Sequence, residues 1–78
     1  MSITDEQFKK AGKGDGFKDI CGRVWRVTEA IGGAFSTLIT YLEGYGREKL
    51  HLVDGKIVDE EFGIIIELND PRAEFVPK

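Results

Sequence analysis

Cys21 and His51, the single cysteine and single histidine of the chain, are the residues that would make a nucleophile-and-base pair. That chemistry needs the two side by side, with a third group to orient the imidazole. His51 stands between Leu50 and Leu52, and strand alternation puts it on the face opposite those leucines, toward solvent. Cys21 falls among apolar residues, where a thiol behaves as a small hydrophobe and stays protonated. One cysteine and one histidine also leave a zinc site short of ligands. The reading is therefore not an enzyme, with no catalytic residue, no cofactor and no metal assigned.

Three other constellations carry weaker signals. Gly12-Lys13-Gly14-Asp15-Gly16 could offer backbone amides to a phosphate. It lacks the preceding strand and the Gly-Lys-Ser/Thr ending of a P-loop, and reads as a hinge. Asp59-Glu60-Glu61 could dock on a basic surface, although a solvated turn between strands explains it better. Lys18, Arg23 and Arg26 beside Trp25 suggest nucleic acid, through stacking and phosphate contacts. Against this, the net charge is −3: residues 1–30 carry +1 and residues 31–78 carry −4. An acidic chain is poorly suited to tracking a phosphate backbone.

The elements that must position these groups are few. Seventy-eight residues make one domain, near the lower size limit for a single core. A lone cysteine leaves no internal disulfide, so packing or association must supply the stability. No basic-then-apolar leader is visible, and Gly32, Gly33, Ser36, Thr37 and Thr40 interrupt the only long apolar region. A cytoplasmic chain without a membrane span is expected.

Thr4-Asp5-Glu6-Gln7 fits a capping box, with Ile3 stapled to Phe8, and predicts a short helix from about Asp5 to Ala11. Residues 1–14 thus read as a short helix plus glycine-rich hinge, an arm able to reach a neighbour. From Phe17 to Tyr45 apolar residues recur at steps of three and four, which predicts an amphipathic helix capped by Asp15 and ended by Gly44 or Gly46. A kink is expected at Gly32-Gly33. The same stretch is rich in strand formers, and a hairpin about Gly32-Gly33 is the alternative.

Lys49–Val53 and Lys56–Val58 around Asp54-Gly55 predict a hairpin with a type I′ turn, and Phe62–Leu68 a third strand. Residues 71–78 read as a tail able to add an edge strand at Glu74-Phe75-Val76. The expected fold is α+β: an amphipathic helix packed on a small three-stranded antiparallel sheet, within a single domain spanning residues 15–70. The alternative is a five-stranded small β-barrel with an N-terminal helix.

On the helical wheel Trp25 and Tyr41 fall at opposite edges of the apolar arc, which a three-stranded sheet can hardly cover. Trp, Tyr and Arg at such edges are the residue types of interface anchors. Trp25, Tyr41, Tyr45, Arg23 and Arg26 are therefore the candidate interaction residues. The functional expectation is a non-enzymatic protein-binding or assembly module, self-associating or docking on a larger partner, of the kind found among viral structural components and host-factor inhibitors. A small nucleic-acid-binding barrel using Trp25 and the basic residues of the first half is the alternative.

Overall fold

The computed structural model describes residues 2–31 and 37–78, and it is mostly β. A six-residue helix, α1 (Asp5–Lys10), precedes β1 (Gly16–Lys18), β2 (Val24–Ile31), β3 (Thr37–Leu42), β4 (Gly46–Val53), β5 (Lys56–Asp59), β6 (Gly63–Glu67) and β7 (Glu74–Val76). All seven strands form one antiparallel sheet in the order β6-β5-β4-β3-β2-β1-β7, curled into a half-barrel.

The amphipathic helix over residues 17–45 is therefore overturned. Val, Ile, Thr and Trp lose side-chain freedom in a helix and pack well on a pleated surface, and here that preference wins. Two interruptions of strict alternation produced the helical beat. Ile20 and Cys21 belong to the exposed β1–β2 turn and not to an apolar face. A register shift between Val27 and Glu29 then moves the inward set of β2 by one residue. Asp15, expected as a helix cap, instead precedes β1, and Gly44 and Gly46 take positive φ around the β3–β4 turn. The three-stranded sheet and the five-stranded barrel both have too few strands. The expected break at Gly32-Gly33, with Ala34, Phe35 and Ser36, lies outside the described residues.

The core sits on the concave face. Phe17, Trp25, Val27, Leu38, Leu42, Leu50, Ile57 and Ile66 line it from successive strands. The N-terminal segment bridges the two ends of the sheet. The Ile3 carbonyl accepts from the Asn69 amide just past β6, at 2.9 Å. Phe8 packs tilted against Phe17 of β1, which in turn meets Phe75 of β7, each pair with ring centroids 5.5 Å apart. Ile3, Phe8 and Ala11 are buried, so the helix is part of the core and not a free arm. Its capping box forms as the sequence predicts: Gln7 N–H donates to Thr4 Oγ1, and Thr4 N–H to Gln7 Oε1. Asp54 and Gly55 both take positive φ, as a type I′ turn between β4 and β5 requires.

Candidate functional site

A meander returns every second turn to the same end of the sheet. One end thus gathers the β1–β2, β3–β4 and β5–β6 turns, and Asp19 organises the first of them. Its Oδ1 accepts from the amides of Cys21 and Arg23, and its Oδ2 from Arg23 Nε and Trp25 Nε1, all at 2.9 Å. Four donors, one of them a guanidinium, let a carboxylate sit buried without its hydration shell.

Phe62, from the β5–β6 turn, stands edge-on to both Trp25 (5.4 Å) and Tyr45 (5.0 Å), while the Arg23 guanidinium lies 4.9 Å from its ring centre. Arg23, Trp25 and Tyr45 are thus brought together around Phe62, whose role no sequence pattern marks. Trp25 is 0% exposed, so it is core and presents no surface to a partner. Its indole N–H found an acceptor in Asp19, a pairing that residue spacing alone does not reveal.

Arg26 and Tyr41 lie elsewhere, on the outer face. Residues opposite one another in a ladder share a face, and Arg26, Tyr41 and Arg47 form one continuous rung across β2, β3 and β4. Tyr41 is 51% exposed between two exposed arginines. A shallow cavity of about 410 Å³ beside it is lined by Val24, Arg26, Tyr41 and Glu43. A second rung runs Ile31, Thr37, His51, Val58, Ile64 from β2 to β6. It carries two exposed isoleucines, Ile31 and Ile64. Arg47 and Ile64 were missed in the sequence because only strand register aligns them with Tyr41 and Ile31.

His51 is half-buried in that second rung. Its Nδ1 lies 3.2 Å from Thr37 Oγ1 and its Nε2 3.5 Å from Glu60 Oε1. The order hydroxyl, imidazole, carboxylate is that of a nucleophile, base and orienting group. Thr37, however, is buried, and the weakly held Glu60 is exposed to water. Cys21 is in the β1–β2 turn, and neither polar contact of His51 involves it. Among the described residues no three His, Cys, Asp or Glu side chains are placed to hold a metal ion.

The glycine-rich segment binds its own chain. Gly14 N–H donates to the Val27 carbonyl, Asp15 N–H to Gly12, and Gly12 N–H to the Asp15 carboxylate, so these amides are not free for a phosphate. The Asp15 carboxylate also accepts from Lys78 N–H. The bonds from Gly12 and Lys78 hold its pKa below the usual carboxylate value.

Two further carboxyls face inward. Glu48 pairs with Thr40 and Asp59 with Leu50, which puts both on the concave side of the sheet, 8% and 1% exposed. Asp59 Oδ2 accepts from the amides of Glu61 (2.9 Å) and Phe62 (2.8 Å). Asp59 Oδ1 is buried with no hydrogen-bond partner among the described residues. Burial first, then the neighbouring Asp59 and Glu61, push the Glu48 carboxyl up to about 7. Glu48 alternates with Leu50 and Leu52, and that period of two was the available signal for its inward position.

Comparison of the chain with protein-family models, with curated proteins and with solved structures finds no match. No helix among the described residues is long and apolar enough to cross a membrane.

Proposed function

We propose that this chain is a non-enzymatic protein-binding module that docks through the outer face of its half-barrel. The observation that carries this reading is the alignment of two rungs on that face. Ile31 and Ile64 supply exposed apolar area at the two ends of one, and Arg26, Tyr41 and Arg47 place the residue types enriched at interface anchors in the other, four residues along β3. Tyr45, 61% exposed at the turn-bearing end, extends the same chemistry. Trp25 has no part in it.

The test is association of purified chain and of Ile64→Lys, Ile31→Lys and Tyr41→Ala. Sedimentation reads self-association, and quantitative capture from the native source reads docking on another protein. The reading expects all three variants to fold and to lose association. Wild-type behaviour by all three in both assays would overturn it.

One observation favours a second reading, single-stranded nucleic acid laid across Arg26, Tyr41 and Arg47. A tyrosine between two cations offers a stacking platform with phosphate contacts on either side. Salt-sensitive binding of a labelled oligonucleotide, abolished in Tyr41→Ala and unaffected in Ile64→Lys, would favour it over the first.

A further inference from the structure

We propose that a protonated Glu48 carboxyl donates to the orphaned oxygen of Asp59, and that this hydrogen bond latches the β5–β6 turn against the aromatic cluster of Phe62, Trp25 and Tyr45. The inference begins from the orphaned oxygen. Asp59 Oδ2 is fully engaged by the Glu61 and Phe62 amides, while Oδ1 is buried without a partner among the described residues. Unmatched buried acceptors are costly, so a donor is required. The Thr40 hydroxyl, opposite Glu48, already donates to the Glu48 backbone carbonyl at 3.1 Å. Asp59 pairs with Leu50, two residues on from Glu48, so the two carboxyls are diagonal neighbours on the concave face and a protonated Glu48 supplies the donor.

The surrounding charges favour the same arrangement. Asp59 faces Glu48 from β5 and Glu61 faces it from the β5–β6 turn, both acidic. β3 presents neutral Thr40 and β2 presents Val27 in the same rung. Arg47 and Lys49 flank Glu48 on β4 and line one cavity with it, Glu60 and Glu61, although strand alternation aims their side chains to the opposite face from the Glu48 carboxyl. Arg23, of the β1–β2 turn, is held by Asp19. With burial and the acidic neighbours Asp59 and Glu61 acting on it, Glu48 retains its proton up to about pH 7. Loss of that proton puts like-charge repulsion directly on Asp59, whose other oxygen holds the amide of Phe62. The turn then loosens, and Phe62 withdraws from Trp25 and Tyr45.

The experiment is a carboxyl ¹³C and amide ¹⁵N titration of the whole chain from pH 5 to 9, with Trp25 fluorescence in parallel. The expected result is a Glu48 midpoint near 7, against 4.5 for an unperturbed glutamate. Shifts of the Glu61 and Phe62 amides and of Trp25 emission should share that midpoint. In Glu48→Gln, whose amide donates at every pH, the shared step should vanish. A Glu48 midpoint in the ordinary carboxylate range would overturn the proposal, as would Phe62 and Trp25 signals that stay flat through the step. Both readouts come from the wild-type chain, so they decide the matter even if Glu48→Gln fails to fold.

Discussion

Trp25 Nε1 donates to Asp19 Oδ2 at 2.9 Å, joining the largest core side chain to the carboxylate that shapes the β1–β2 turn. Because Asp19 also holds Arg23, which in turn lies over Phe62, this one bond links core packing to the aromatic end of the sheet. Trp25→Phe keeps most of the apolar volume and removes the donor. It should cost ~1–3 kcal/mol in chemical denaturation, the range for breaking a buried bond to a charged group. Asp19→Ala strands both the indole N–H and the guanidinium and should cost at least as much.

Stability should fall as pH rises through neutrality. Glu48 has a folded-state pKa raised from 4.5 to about 7, so between those values the folded chain binds more protons than the unfolded one. Its contribution is fully present below about 4.5 and is lost as pH passes 7. Asp15 and Asp70 act in the opposite sense. Backbone bonds from Gly12 and Lys78 lower the first, and the Arg72 side chain lowers the second. Their contributions are present above the normal carboxylate range and are lost in acid. Thermal melts from pH 3 to 9 should give a maximum on the acid side of neutrality, and Glu48→Gln should flatten its upper limb.

Cys21 should react with a thiol reagent in the native state, because its turn is exposed. Cys21→Ser should change stability by no more than ~0.5 kcal/mol, as for other surface substitutions. Labelling that requires denaturant would contradict the exposed turn.

Gly55→Ala should cost ~1–2 kcal/mol, since φ is +75° and a Cβ is strained there although the surrounding space is open. Asp54→Asn should be neutral or slightly stabilising, because Asn-Gly suits the same turn at least as well. Equal unfolding midpoints for Gly55→Ala and wild type would argue against the turn geometry.

The features legible in the sequence were local ones. Thr4 and Gln7 specify a cap within one turn, and Asp54-Gly55 specifies a hairpin by backbone conformation alone. The stretch from Phe17 to Tyr45 reads as a helix because its inward residues are separated by a turn at Asp19–Arg23 and a shifted register after Val27. Alternation broken twice imitates a helical period, and only the abundance of Val, Ile and Thr spoke for strands. Arg26 and Tyr41 were visible by type, whereas Arg47 joins them through pairing across β3 and β4, which no single-strand pattern encodes. Trp25 reads as a surface anchor in the sequence because nothing in its neighbourhood announces that Asp19 receives its N–H.

The pairing of β1 with β7 sets the order in which this fold can be completed. Gly16 meets Arg26 on one side, after a short turn, but on its other side it waits for Val76. During synthesis the strands from β2 to β6 can add in succession, each beside the last. The far edge of β1 has its strand partner only when β7 has emerged, and the packing of Phe75 against Phe17 waits with it. A link so distant along the chain raises the contact order of the fold, and folds rich in such pairings complete slowly. Until it closes, the nascent chain carries an unpaired strand edge beside an unfinished core.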